Sequence, residues 1–190
     1  MTVVDTLWLV LGEFGDIEVF RRAGAELMRG EISYRELMET EFSTIKGATL
    51  DEVNVWLSEH AEIRPGFHEL VERYQPLILS SGFEELIRPL LAREAVEAEL
   101  VANRIDPRPG GWRIVWNRDS PCEVCADWCK RAGLPAGPFV YVGDGYSDRC
   151  PAAGADRVFA RAGLSEYLEG RGLPYEPFED LYDVTRALDD

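Results

Sequence analysis

Two aspartates, Asp144 and Asp148, lie four residues apart in the stretch Gly143-Asp144-Gly145-Tyr146-Ser147-Asp148, directly after the apolar run Phe139 to Val142. Carboxylates that converge across a turn suit a hard cation such as Mg²⁺, which takes oxygen ligands, keeps several waters and commonly bridges to a phosphate. The flanking glycines allow backbone conformations that a side chain would forbid. The alternative is a turn carrying two solvated aspartates. The apolarity of the preceding run argues against it, because such a run suits a buried parallel strand, and ligands of open α/β sheets collect beyond the carboxyl ends of strands.

Two further groups could act on an anion. Ser80-Ser81-Gly82 offers a hydroxyl and backbone N–H groups in a loop at the predicted start of a helix, where the helix dipole favours negative charge; an ordinary serine N-cap is the plainer reading. Lys130 is one of two lysines beside eighteen arginines, the other being Lys46. A compact ammonium suits neutralisation of a phosphate, and a solvated surface lysine fits the spacing equally well. Cys122, Cys125 and Cys129 form a Cys-x2-Cys-x3-Cys cluster. Without a nearby histidine, and with Cys150 remote in sequence, it reads as free packed thiols ahead of a zinc site. His60 and His68 have no partner at ligand spacing.

The elements that must position these residues alternate. Residues 1–62 read as a helical segment with one-sided apolar spacing, and Pro65-Gly66 marks its boundary with a core spanning 63–190. Within the core, Phe67 to Tyr74 reads as a helix, Pro76 to Leu79 as a strand and Glu84 to Ala92 as a helix. A hairpin is expected near 100–116, a helix over Trp128 to Ala132, a helix near Asp148 to Ala153 and a strand at Arg157 to Ala160. The pattern predicts an α/β fold with a mostly parallel, Rossmann-like sheet covered by helices on both faces, plus a small helical cap.

Composition narrows the partners. The chain has 190 residues, is 46% hydrophobic and carries a formal charge of −15. Such a field repels nucleic-acid phosphates and anionic membrane surfaces, so a phosphate-bearing partner has to be held locally. No apolar run reaches membrane-spanning length and no secretory leader is evident, which points to the cytoplasm. Oligomeric state leaves no trace in the sequence.

In order along the chain, an apolar strand ending in Ser80, then Lys130, then Gly143-Asp144-Gly145-Tyr146-Ser147-Asp148 resembles motifs two, three and four of the haloacid dehalogenase superfamily of phosphatases. The tail from Ala155 to Arg161 and from Leu173 to Val184 is similar to the branch of the 2-hydroxy-3-keto-5-methylthiopentenyl-1-phosphate phosphatases and phosphoserine phosphatase-like enzymes. The resemblance implies a Mg²⁺-dependent phosphomonoesterase acting on a small phosphorylated metabolite. It further implies Asp144 and Asp148 at the metal, Ser80, Ser81 and Gly82 on the phosphoryl group, and Lys130 neutralising an aspartyl-phosphate. The family's lysine often follows a Cys-x2-Cys pair directly, a position held here by Ala126.

The resemblance also implies a nucleophile that is not present: an Asp-x-Asp-Gly-Thr motif at the end of the first strand. Alignment on Asp5 places it just upstream of Met1. A start assigned too late, a deliberately shortened chain and a noncatalytic relative that binds a phosphate ligand or a protein are the three explanations. A central strand burying about four large apolar side chains contributes roughly 6–12 kcal/mol, comparable with a domain's whole net stability of about 5–15 kcal/mol. Stability thus favours the first two explanations, and a chain lacking that strand is expected to show a gap between two half-sheets.

Overall fold

The structure, a computed structural model, describes residues 1–134 and 136–189. The predicted helical segment is four helices, each started by a side chain that accepts from its first-turn amides. Asp5 caps α1 (Thr6–Phe14), with Oδ1 accepting from Leu7 N at 2.7 Å, and Asp16 caps α2 (Ile17–Met28). Ser33 with Glu36 and Thr49 with Glu52 form reciprocal capping boxes at α3 (Tyr34–Phe42) and α4 (Leu50–His60). Their apolar faces meet in Leu11, Met38, Phe42, Val53 and Leu57. That cluster does not stop at residue 62. It continues into Phe83, Leu86, Leu90, Ile105 and Trp112, with the Phe42 and Phe83 rings edge-to-face at 4.5 Å.

Pro65-Gly66 does turn the chain. Gly66 takes φ +84°, and a Cβ there would stand 2.3 Å from Tyr182 N, so the turn needs glycine on both conformational and steric grounds. Beyond it come α5 (Phe67–Tyr74), β1 (Ile78–Phe83), α6 (Glu84–Arg93), β2 (Leu100–Asp106) and β3 (Arg113–Val115). β4 (Val140–Gly143), α7 (Arg149–Ala152), β5 (Arg157–Ala160), α8 (Ala162–Glu169), β6 (Glu176–Pro177) and α9 (Leu181–Asp189) complete the described elements.

Among the described residues the strands form two three-stranded sheets, β1-β2-β3 and β4-β5-β6. β1 pairs parallel to β2, β3 turns back antiparallel on β2, and the second sheet is parallel throughout. β1 and β4 are each the outermost strand of their sheet. A cavity of about 180 Å³ touches both, lined by Ile78 and Leu79 on one side and by Val142 and Gly143 on the other. The two sheets are thus separated by a cavity along β1 and β4.

Three local expectations need correction. Ser80-Ser81-Gly82 is not a loop: β1 runs through it to Phe83, with a register irregularity between Leu79 and Phe83 that absorbs the small residues. The segment Trp128 to Ala132 is not a helix. Only a 3₁₀ turn forms at Lys130–Gly133, because Cys129 N bonds back to Asp127 O and the residues before it are committed to a tight turn. The hairpin exists, but β3 pairs with Arg104 to Asp106, while Leu100 and Val101 serve the parallel partner β1.

Candidate active site

The site grows from the end of β4. Backbone carbonyls of Gly143 and Asp144 accept from Arg161 N and Leu164 N, so the start of α8 holds the strand end in place. Chain then turns through the 3₁₀ segment Tyr146–Asp148, which folds the Asp148 side chain back over the strand. Gly143 permits that approach: a Cβ at this position would lie 2.7 Å from Asp148 Cγ.

Asp148 is 2% exposed and fully engaged. Its Oδ1 accepts from Lys130 Nζ and from the Tyr141 hydroxyl, both at 2.7 Å. Its Oδ2 accepts from the amides of Asp144 at 3.1 Å and Gly145 at 2.9 Å. Burial pushes this carboxyl upward, but the Lys130 charge and these donors outweigh it and hold Asp148 below the usual carboxylate range. The same pairing lifts Lys130 above its ordinary value against the opposing effect of its own burial. The pair is therefore a charged clamp that fixes the Asp144 turn and delivers a lysine to the strand end.

Asp144 differs. The residue is surface-accessible at the strand end, yet its carboxyl is pushed up first by partial desolvation against the protein and then by the Asp148 charge. A cation there would relieve the repulsion between the two carboxylates, and an oxygen donor at an accessible turn suits a hard ion that retains waters. The residues present fit Mg²⁺, which the accessible Asp144 carboxylate would hold. With both of its oxygens occupied by donors, Asp148 orients the turn. Asp144, Asp148 and Lys130 all border the cavity between the sheets, as does Met1.

Lys130 also borders a second, small pocket of about 20 Å³, which it shares with Ser80, Ser81, Asn103, Asn117 and Arg118. The fold thus brings Ser80 and Ser81 into one pocket with Lys130. Gly82 contributes its amide internally, donating to Ser80 Oγ at 3.0 Å. Asn103 is buried in β2 and braces the pocket, donating to Ser81 O at 2.9 Å and accepting from Asn117 N at 3.1 Å. Nη1 of Arg118 is buried with no hydrogen-bond partner.

Sequence reasoning passed over several of these groups. Asn103 carried a visible signal, an amide directly after the apolar run Leu100 to Ala102. Tyr141 and Arg118 carried none. Nor did Tyr34, which reaches over from α3, interacts with the Ser81 and Ser147 side chains and stacks on Tyr146 at 5.8 Å.

The chain therefore has a mostly parallel α/β core, a helical segment packed over it and an Asp-Lys clamp at a strand end, and its relatives have known families. Residues 4–153 match the haloacid dehalogenase-like hydrolase family, and the chain belongs to it. It is 31% identical over 200 residues to the 2-hydroxy-3-keto-5-methylthiopentenyl-1-phosphate phosphatase of Geobacillus kaustophilus (strain HTA426), covering 99% of this chain and 90% of that relative. The Bacillus cereus protein of the same name (strain ATCC 14579) is 27% identical, over 97% of this chain and 89% of the relative. Among solved structures, a phospho-aspartyl intermediate analogue of phosphoserine phosphatase superposes with a TM-score of 0.71 at 16% identity, covering 98% of this chain and 92% of that one. The phosphoserine phosphatase from T. onnurineus gives 0.67 at 18% identity, covering 100% and 89%. These two likenesses establish the fold. Among the described residues, no helix is long and apolar enough to cross a membrane.

Proposed function

We propose that this protein is a Mg²⁺-dependent phosphomonoester hydrolase acting on a small phosphorylated metabolite in the cytoplasm. The observation that carries the proposal is the buried Lys130–Asp148 pair beneath Asp144, with Lys130 bordering both pockets and the larger pocket lined by residues of both sheets. Asp144 would hold the metal, which when bound supplies charge neutralisation for the phosphoryl oxygens. Lys130 presents a fixed ammonium to the same region, Ser80 a hydroxyl, and Arg118 a guanidinium nitrogen with unused donor capacity. Residues 1–62 act as the cap, with Tyr34 as the cap side chain that reaches the catalytic floor.

The reading includes a nucleophilic aspartate on a strand that enters the cavity between β1 and β4. A strand there would pair with the free edges of both, join the half-sheets and end beside Asp144 and Lys130. Buried apolar residues Phe67, Leu70 and Phe178 already border that space. An aspartyl-phosphate formed on it would lie within reach of the Lys130 charge.

Curated relatives are named for 2-hydroxy-3-keto-5-methylthiopentenyl-1-phosphate and the structural neighbours for phosphoserine, so those two phosphate esters head the substrate panel. The test is phosphate release from that panel with Mg²⁺, by a chain whose N-terminus is extended with a strand carrying Asp-x-Asp-Gly-Thr. Release that vanishes in D144N supports the proposal. Release that survives D144N unchanged removes Asp144 from the mechanism, and no release from any ester by folded, extended protein favours a noncatalytic relative.

A further inference from the structure

The fold gathers all four cysteines, including the one remote in sequence. Sγ atoms of Cys122, Cys125, Cys129 and Cys150 all lie within 4.8 Å of one another, with Cys122 and Cys150 at 3.9 Å, and none forms a disulfide. Four thiolates around one ion at Zn–S distances of about 2.3 Å stand about 3.8 Å apart along each tetrahedral edge. The cluster is therefore close to ligand geometry without a change of fold, and it includes Cys150, which lies too far along the sequence to be assumed a member.

The backbone around it is also shaped for coordination. Residues 122–127 close into a tight turn, with Ala126 N donating to Cys122 O at 2.8 Å and Cys122 N to Asp127 O at 2.9 Å. Ala126 closes the turn at φ +56°, a left-handed conformation that alanine adopts only when its surroundings require it. The turn points Cys122 and Cys125 at the same spot, and Val124 N donates to Cys122 Sγ at 3.4 Å. An amide aimed at sulfur stabilises a thiolate more than a thiol, which is the state a metal binds.

We propose that Cys122, Cys125, Cys129 and Cys150 form a closed structural zinc site that locks the Lys130 segment onto the Asp148 turn. Cys129 immediately precedes Lys130, and Cys150 follows Asp148 by two residues. The ion thus fastens the two backbones whose side chains make the buried ion pair, one step removed from the pair itself. The same turn reaches the cap. Asp127 accepts from Tyr34 N at the start of α3 at 3.1 Å and from the Tyr146 hydroxyl at 3.3 Å, so the site also braces the cap against the core. Four protein ligands leave no open position, so the ion's role is architectural. A thiolate tetrahedron accepts zinc or iron; the proposal commits to zinc, which needs no redox chemistry here. It stands independently of whether the chain hydrolyses phosphate esters.

The test uses the intact protein, produced with zinc, purified under reducing conditions and analysed by mass spectrometry for metal. The expected result is one zinc per chain, thiols that react with a chromogenic disulfide reagent only after a strong chelator is added, and a lower Tm after chelation. Cobalt exchanged into the site should show the intense thiolate charge-transfer and visible bands of a tetrahedral four-sulfur centre. Cys150→Ser should lose the zinc while retaining the wild-type circular dichroism spectrum. Metal-free protein with four freely reactive thiols despite zinc excess overturns the proposal, as do stoichiometric iron, a Cys122–Cys150 disulfide, or a cobalt spectrum with fewer than four thiolates. The cobalt readout needs no substitution, so a misfolded variant cannot shield the proposal.

Discussion

Glu41 sits on α3 with 2% of its surface exposed, its Oε1 has no hydrogen-bond partner, and burial followed by the charge of Asp5 pushes its carboxyl up to about 8. In the unfolded chain it titrates near 4.5. Between those values the folded protein keeps a proton that the unfolded chain has released, so unfolding releases a proton and stability falls as pH rises. Below 4.5 both states are protonated and there is no penalty. At about 1.36 kcal/mol per pH unit, the interval from 4.5 to about 8 amounts to about 5 kcal/mol. Glu41→Gln replaces the neutral acid by a near-isosteric neutral amide and removes the titration. Urea unfolding of both proteins at pH 5 and pH 8.5 isolates this residue together with its coupling to Asp5, because groups that do not interact with Glu41 titrate equally in the two. The variant should match wild type within about 1 kcal/mol at pH 5 and exceed it by about 4–5 kcal/mol at pH 8.5. Equal differences at the two pH values would refute the assignment of a buried, neutral carboxyl.

Other substitutions probe the site more directly. Lys130→Met leaves Asp148 buried without its counter-charge and should lower unfolding free energy by about 3–5 kcal/mol, measured by denaturant titration. Gly143→Ala drives a methyl into Asp148, which four donors prevent from yielding, and should cost about 1–3 kcal/mol by the same assay. Asp144→Asn should leave stability near wild type while lowering Mg²⁺-dependent kcat/KM at least about hundredfold in the extended chain. Arg118→Ala should raise KM for phosphate esters more than it lowers kcat, since Arg118 lines the small pocket rather than the strand end.

Much of the architecture was readable because its signals are local. Asp5, Asp16, Ser33 and Thr49 announce helix starts, Pro65-Gly66 a turn, and the run into Gly143 a strand end. The Gly143 to Asp148 motif pointed to Asp144 and Asp148 but not to the division between an exposed carboxylate and a buried, fully bonded one. That division depends on Tyr141 and Lys130 filling Oδ1 of Asp148, and hence on packing across 18 residues of sequence. Cys150 looked remote for the same reason, since the ion pair is what carries it to Cys129. Ser80-Ser81-Gly82 reads as a loop by composition, yet pairing of β1 with β2 and the Asn103 side chain bonding Ser81 O extend the strand through it. Glu41, Arg118 and Tyr34 are ordinary polar residues on spacing alone; only the tertiary fold buries the first, orphans the second and swings the third over the site.

We propose that a phosphatase site is organised around Asp144, Asp148 and Lys130 and completed by a strand between β1 and β4. Hydrolysis of a generic aryl phosphate with Mg²⁺ tests it most directly, comparing residues 1–190, the same chain extended by a strand bearing Asp-x-Asp-Gly-Thr, and that extended chain with its first motif aspartate changed to asparagine. The account predicts turnover in the extended protein alone. Turnover in residues 1–190 at the same rate, or turnover that survives the asparagine change, would contradict it.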